Sequence, residues 1–206
     1  MATARSADPV ILTDIGGVLV PDYLTAAATE WSTRLGVSQQ AFLTALFGGN
    51  DDQVLIGRTS EAYWWSIVQD RLRIDQDLIA ELQCDLASRE TWDDALVTCL
   101  RRFHGSAKTA IVSNAWPHMR TRMSNAGLLD IVDAIVLSCE VGYAKPDPRI
   151  YATALHRIGA DPSAALFIDD TPGHVATARS LGMTGYVHTN AQDTLTRIED
   201  FLRPPG

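Results

Sequence analysis

Short apolar runs alternate with longer stretches of helical periodicity along most of this chain. Five apolar runs rich in strand-forming residues lie at 10–13, 109–112, 134–137, 165–168 and 184–187. Between most of them apolar residues recur at helical spacing, as they do from Trp92 to Phe103. A second helix is predicted to begin at Pro148 and to end at Gly159. Strands that alternate with helices predict an α/β fold with a parallel sheet covered on both faces.

One interval interrupts this alternation. Residues 22–87 contain no convincing strand pattern, only helical patterns interrupted by glycines. Their apolar faces are supplied by Trp31, Phe42, Leu46, Trp64, Trp65, Ile67, Leu78 and Leu82. We therefore predict a helical domain of residues 22–87 with a small core of its own, inserted into an α/β core formed by 1–21 and 88–206.

The charge of the chain argues against two classes of partner. The 206 residues carry a formal net charge of −8, and no basic run is longer than Arg101-Arg102. Nucleic-acid backbones and anionic membrane surfaces would repel such a chain, so we expect neither as a partner. No apolar run approaches the roughly 18 residues that a membrane span requires.

The cysteines and the N-terminus both indicate a cytoplasmic protein. Cys84, Cys99 and Cys139 are odd in number, widely spaced and set among apolar residues. We expect reduced, buried thiols rather than disulfides or a zinc site. The first nine residues contain no apolar segment of the kind that a secretory signal needs.

Polar residues follow three of the predicted strands at the point where each strand ends. They are Asp14, Ser113, Asn114, Asp169 and Asp170. Because ligands of α/β sheets bind at the carboxyl ends of the strands, we expect these side chains to meet there. Lys145, one of only two lysines, lies just before the helix predicted at Pro148 and is expected at the same edge. Each residue also has a simpler interpretation, as a helix cap, a turn residue or an exposed charge.

Charge balance favours a combined function for these residues. Asp14, Asp169 and Asp170 would repel one another at one sheet edge unless a cation lay among them, and carboxylates suit Mg²⁺. The Lys145 ammonium and the Ser113 hydroxyl would then hold the remaining oxygens of a phosphoryl group that shares the ion. With Asp14 positioned to attack phosphorus in line, the set predicts phosphoryl transfer.

Four segments, taken in order, resemble the motifs of the haloacid dehalogenase superfamily. They are Asp14-x-Gly-Gly-Val, Ser113-Asn114, Lys145-Pro-Asp-Pro and Asp169-Asp170. The resemblance covers nearly the whole chain, including the helical insert, which resembles the C1-type cap of the family. It implies a Rossmann-like core and hydrolysis of a small phosphorylated metabolite.

The resemblance also implies a role for each matching residue. Asp14 is the expected nucleophile, which becomes an aspartyl-phosphate. Ser113 is expected to bind a phosphoryl oxygen, Lys145 to neutralise nucleophile and phosphate, and Asn114 to position the loop and bind substrate. The expected cofactor is Mg²⁺, with ligands from Asp14, Asp169, Asp170 and the carbonyl oxygen of Gly16.

Gly16 departs from the family pattern, because phosphatases of the family usually carry a second Asp there as general acid and base. Such catalysis is worth roughly 10²–10⁴-fold. We therefore expect a phosphatase for esters with good leaving groups, such as anomeric sugar, acyl or phenolic phosphates, with water or Tyr23 transferring the proton. Two alternatives are a non-catalytic or regulatory binding protein and a metal-independent 2-haloacid dehalogenase. The dehalogenase would use Arg34 or Arg58 to bind the substrate carboxylate.

Overall fold

The computed structural model describes residues 8–48 and 51–203, except for the side chain of Asp51. All strands, helices and contacts described below lie within these residues. Most of the N-terminal segment, on which the prediction of no secretory signal rests, lies outside them.

Five parallel strands form one sheet in the order β3-β2-β1-β4-β5. They are β1 (Val10–Thr13), β2 (Lys108–Ser113), β3 (Ala134–Leu137), β4 (Ala165–Asp169) and β5 (Thr184–Val187). All five predicted strands are confirmed, with β2 and β4 slightly longer than their apolar runs. The first strand is central and pairs with β2 and β4. The residue after β1 therefore emerges at the middle of the carboxyl edge of the sheet.

Helices cover both faces of this sheet, as the alternation of elements predicts. They are α6 (Asp94–Phe103), α7 (Met119–Asn125), α8 (Ser138–Val141), α9 (Pro148–Ile158), α10 (Pro172–Ser180) and α11 (Ala191–Leu202). Successive strand residues point to opposite faces. In β1, Ile11 packs in a buried cluster with α6, α7 and α11, whereas Val10 and Leu12 pack in another with α9 and α10. The predicted Rossmann-like α/β fold is confirmed.

Among the described residues between β1 and β2, five helices precede α6. They are α1 (Leu24–Leu35), α2 (Gln39–Phe47), α3 (Asp51–Leu55), α4 (Glu61–Leu72) and α5 (Gln76–Arg89). Side-chain oxygens of Ser38, Ser60 and Asp75 cap the N-termini of α2, α4 and α5. A third buried cluster joins these helices around residues such as Trp31 and Trp64. The division into a cap of 22–87 and a core stays a prediction, and its boundary falls inside α5.

The burial predicted for the cysteines is wrong for Cys84. This residue is exposed, whereas Cys99 is buried and Cys139 is half-buried. The apolar face of α5 is formed by Ile79, Leu82 and Leu86, and position 84 lies off that face although apolar residues flank it in sequence. None of the helices within the described ranges has the length and apolar character needed to cross a membrane.

Candidate active site

Asp14 lies at the carboxyl end of the central strand, where backbone contacts fix it. Its N–H donates to the carbonyl oxygen of Ile168 in β4 at 2.9 Å. Its Oδ1 accepts the N–H of Ile15 at 2.7 Å, and only 6% of the residue is exposed. The carboxylate is therefore held in one orientation at the predicted edge of the sheet.

Lys145 lies between two carboxylates. Its Nζ is 2.7 Å from Asp14 Oδ2 and 2.6 Å from Asp169 Oδ2, and its side chain is fully buried. Asn114, at the end of β2, fixes the backbone that carries it: Asn114 Nδ2 donates to the Lys145 carbonyl at 2.9 Å, and Lys145 N–H donates to Asn114 Oδ1 at 2.7 Å. Asn114 thus orients the lysine, while its contact with substrate stays a prediction.

Asp169 has contacts on both carboxylate oxygens and is fully buried. In addition to Lys145, the N–H of Thr171 donates to Oδ1 at 2.8 Å, and His174 Nδ1 lies 3.0 and 3.2 Å from the two oxygens. Burial alone would raise the pKa of Asp169, but the hydrogen bond from His174 and the charge of Lys145 lower it to about 2. Asp169 is therefore an ionised counterion of Lys145.

The role of His174 was missed by sequence reasoning, which gave this residue no function. It lies in the first turn of α10, and its carbonyl oxygen accepts the hydroxyl of the buried Tyr151 at 3.0 Å. A histidine one turn after a strand-end aspartate was the only sequence signal.

Opposing electrostatic effects act on the pKa of Asp14. Burial raises the pKa of its carboxyl group, and the neighbouring Asp169 carboxylate adds to this effect. The charge of Lys145 and hydrogen bonds from Lys145 and Ser113 act in the opposite direction. Ser113, at the end of β2, is itself buried. The sheet therefore brings Asp14, Ser113, Lys145 and Asp169 together, as predicted.

Asp170, the residue after Asp169, is exposed. It approaches Gly17 so closely that a Cβ atom there would be 1.9 Å from Asp170 Oδ2. Gly17 also has a φ of 71°, which disfavours other residues. At Gly16, in contrast, a Cβ atom would meet nothing within 4 Å. The two adjacent glycines thus differ. The close approach of Asp170 requires glycine at position 17, whereas a side chain at position 16 would enter open space.

That open space belongs to a cavity of about 330 Å³ between the sheet edge and the inserted helices. Gly16, Ser113, Asn114 and Asp170 line its inner end. Its outer walls are formed by side chains of the β1–α1 connection and the start of α1, of α2 and α3, of the residue after α5, and of the segment after β2. These are Tyr23, Leu24, Phe47, Leu55, Glu90, Trp116, His118 and Met119.

A charged network joins the inserted helices to the segment after β2. His118 Nδ1 lies 2.8 Å from Glu61 Oε1 in α4, and its Nε2 lies 3.6 Å from Glu90 Oε2. Arg122 Nε binds the same oxygen of Glu90 at 2.6 Å. Burial alone would lower the pKa of His118, but hydrogen bonds and charges from both glutamates raise it to about 9. His118 is therefore protonated at neutral pH.

The donor set at the sheet edge fits a hard divalent cation. Asp14 and Asp169 contact the Lys145 ammonium group, and Asp170 follows Asp169 in the chain, so three carboxylates accompany one ammonium group and leave an excess of negative charge. Asp14, Asp169 and His174 each offer a ligand atom, and these atoms lie within 4.8 Å of one another. Lys145 already binds both of those carboxylates, however, whereas Asp170 faces the cavity.

Proteins of different lengths share sequence with this chain. Bifunctional epoxide hydrolase 2 of Sus scrofa is 27% identical over 90% of this chain, which spans only 37% of the length of that relative. Haloacid dehalogenase-like hydrolase domain-containing protein 3 of Danio rerio is 28% identical over 85% of this chain and 76% of its own length. Pyrimidine 5'-nucleotidase YjjG of Escherichia coli is 38% identical over 36% of this chain and 34% of its own.

Solved structures share the fold at low sequence identity. A HAD-like family hydrolase from Porphyromonas gingivalis has a TM-score of 0.78 and 22% identity, covering 97% of this chain and all of that one. A HAD family enzyme from Bacteroides thetaiotaomicron, in complex with magnesium and inorganic phosphate, has a TM-score of 0.71 and 18% identity over 88% and 94% of the two chains. The model of the haloacid dehalogenase-like hydrolases matches residues 9–182, and the chain belongs to this family of hydrolases.

Proposed function

We propose that this protein is a Mg²⁺-dependent phosphatase that hydrolyses a small phosphomonoester through an aspartyl-phosphate on Asp14. The observation that carries the proposal is the buried Asp14–Lys145–Asp169 cluster. Ile15 and Asp170, the residues that follow Asp14 and Asp169 in the chain, line an open cavity. Two relatives support it: one structure of the family contains magnesium and inorganic phosphate, and one relative is named as a nucleotidase.

Each residue of the cluster has a distinct part in this mechanism. Asp14 attacks phosphorus, and the electron pair of the breaking ester bond leaves on the alcohol oxygen. Lys145 and Ser113 hold phosphoryl oxygens as charge develops on them. Water then attacks the phosphorus of the aspartyl-phosphate, which releases inorganic phosphate and restores the carboxylate.

The proposed magnesium ligands are Asp14, Asp170 and the carbonyl oxygen of Gly16. When bound, Mg²⁺ would neutralise negative charge on the phosphoryl group. We favour Asp170 over Asp169 as the second carboxylate ligand because Mg²⁺ retains several waters and needs an open side. Asp170 is exposed toward the cavity, whereas Asp169 is buried against Lys145 and His174.

The leaving group must depart with little help from an acid. Gly16 has no side chain, and His118 and Glu90 are paired with each other and with Glu61 and Arg122. Burial and the charge of Glu90 raise the pKa of Tyr23 above its usual range, which makes it a weak proton donor. We therefore expect the enzyme to favour esters of acidic alcohols.

The dehalogenase alternative receives less support. The arginines nominated to bind a substrate carboxylate lie elsewhere: Arg34 forms two hydrogen bonds with Glu81, and Arg58 is exposed. Among the described residues that line the cavity there is no arginine or lysine.

Phosphate release from a panel of esters, with and without Mg²⁺, tests the proposal. Asp14→Asn should abolish Mg²⁺-dependent release, a loss on the order of 10⁴-fold or more for a nucleophile. Asp77→Asn, at an exposed position of α5, is the matched control and should retain activity. No release from any ester by the wild-type protein would favour a binding protein, with 2-haloacids as the next substrates to examine.

A further inference from the structure

The outer cavity wall is built largely from aromatic and aliphatic side chains. Tyr23, Phe47 and Trp116 contribute rings, and Leu24, Leu55 and Met119 complete the wall. Phe47 and Trp116 lie nearly parallel, with an interplanar angle of 22° and ring centroids 6.2 Å apart. We propose that the leaving group bound here is aromatic, so that the substrates are aryl phosphates. This inference rests on the phosphatase function proposed above.

The size of the cavity agrees with an aromatic ring beside a phosphoryl group. An apolar cavity of about 150 Å³ is enough to bind benzene. The volume here is about 330 Å³, which leaves room for the phosphoryl group at the inner end. The ring would lie against the wall formed by Phe47, Leu55 and Trp116.

Most charged and amide side chains of the cavity are already engaged by the protein, whereas the buried indole N–H of Trp116 has no hydrogen-bond partner among the described residues. Asn114 binds the backbone of Lys145, and Glu90 and His118 belong to the charged network. The Asp22 carboxylate accepts the N–H of Leu24 and the hydroxyl of Thr25. A sugar would bring several hydroxyl groups to this wall and leave most of them without partners, which disfavours it.

The charge of the wall argues in the same direction. Asp22, Glu90 and Asp170 are acidic, and the described lining contains neither arginine nor lysine. The protonated His118 also lines the cavity, but it is paired with Glu61 and Glu90. A leaving group with a further phosphate or carboxylate would therefore be repelled. A neutral ring meets no such penalty and buries apolar surface.

The chemistry of the leaving group matches the missing acid at Gly16. A phenol has a pKa of about 10, as for tyrosine, whereas bulk water has a pKa of about 15.7 and represents simple alcohols better. As the Asp14–phosphorus bond forms and the aryl oxygen–phosphorus bond breaks, the electron pair leaves on a phenoxide. The phenoxide takes its proton from solvent afterwards, so no side chain at position 16 is required.

Three phosphates separate the ring from the leaving-group effect. 1-Naphthyl phosphate carries a ring on an acidic alcohol, acetyl phosphate has a good leaving group without a ring, and glucose 6-phosphate has neither. We expect KM to be roughly 10- to 100-fold lower for naphthyl than for acetyl phosphate, a range typical of apolar pocket contacts. The more acidic leaving group of acetyl phosphate should favour that compound in kcat instead. Glucose 6-phosphate should react most slowly.

Variants of the wall test where the ring binds. Phe47→Ala should raise KM for naphthyl phosphate about 10-fold and leave acetyl phosphate unchanged. Leu55→Trp, which fills the cavity, should do the same if Phe47→Ala does not fold. Tyr63→Ala is the control, because this ring is 58% exposed on α4.

The outcomes distinguish this inference from the proposed function. Equal losses on naphthyl and acetyl phosphate in the wall variants would overturn the aromatic site. Faster release from glucose 6-phosphate would overturn it too, while leaving a phosphatase. No release from any of the three compounds, with Asp14→Asn indistinguishable from wild type, would overturn the phosphatase itself.

Discussion

The two sides of Asp14 are built in opposite ways. On the inner side Lys145, Asp169 and His174 form a buried set of short ion pairs and hydrogen bonds. On the outer side a cavity begins at Gly16, where a side chain would meet nothing within 4 Å. The inner side is fixed by the sheet, whereas the outer wall comes from loops and inserted helices. Under the proposed function, charge stabilisation and leaving-group recognition would therefore belong to separate parts of the site.

A substitution of Lys145, on the inner side, is expected to have the largest effect on stability and on phosphate release. Lys145→Met leaves two buried carboxylates without their cation, and breaking a buried pair costs about 3–5 kcal/mol of unfolding free energy. We expect that loss in urea unfolding, together with undetectable phosphate release. Lys108→Met removes the only other lysine, which is exposed and bonds the Ile158 carbonyl, and should be mild. Equal losses in the two variants would contradict the central position of Lys145.

Gly16→Asp should add, on the outer side of Asp14, the general acid that the site lacks. The added carboxyl group has space and would supply the missing acid, so release from alkyl phosphates should rise about 10²-fold, the lower end for general acid catalysis. Release from aryl phosphates should change little, so the dependence of rate on leaving-group pKa becomes shallower. Gly16→Ala fits the same space without an acid and should give no gain. A gain with alanine would show that the acid is not the cause.

Substitution of His174 tests whether activity depends on the hydrogen bond that fixes Asp169 on the inner side. His174→Ala removes a hydrogen-bond partner of Asp169, and we expect kcat to fall about 10- to 100-fold, as for outer-shell partners of metal sites, with KM little changed. His174→Asn, which retains a donor, should recover part of the loss. His156→Ala, at an exposed position of α9, serves as control. A rise in KM alone would argue against a positioning role.

The smallest effect, a change in Tm, is expected from substitution of His118, which lies where the outer wall joins the core. The pKa of His118 is raised to about 9 by Glu61 and Glu90, from an ordinary value of 6.5. The stabilisation of the folded protein by protonated His118 is therefore complete below pH 6.5, and it is lost as the pH rises through about 9. The difference in Tm between wild type and His118→Gln should be largest near the acid end of this window and nearly vanish above it. A difference independent of pH would exclude the ionic contribution.

The inner side was far more predictable from sequence than the outer wall. Buried parallel strands are nearly continuous apolar runs, so all five strands were visible, and the polar residue after each run falls at the sheet edge. This reasoning placed Asp14, Ser113, Lys145 and Asp169 at one sheet edge, where the structure brings them together, and their functional roles stay predictions.

The remainder depends on contacts that sequence spacing does not encode. Asp169 and Asp170 are adjacent in sequence, yet one turns to Lys145 and the other to Gly17, because successive residues at a strand end point in opposite directions. The cavity wall unites Phe47 and Leu55 with Trp116, which are more than fifty residues apart along the chain. Only the packing of inserted helices against the segment after β2 brings them together.

The indole rings of Trp64, Trp65 and Trp116 lie close enough together to serve as a spectroscopic probe of the contact between α4 and the segment after β2. The Trp116 ring centroid lies 4.3 Å from that of Trp64, which in turn lies 4.6 Å from that of Trp65. Trp64 and Trp65 belong to α4, whereas Trp116 follows β2. Any displacement of α4 from the sheet edge would separate these chromophores and change their near-ultraviolet circular dichroism. The molecule thus carries its own label for following motion between α4 and the segment after β2.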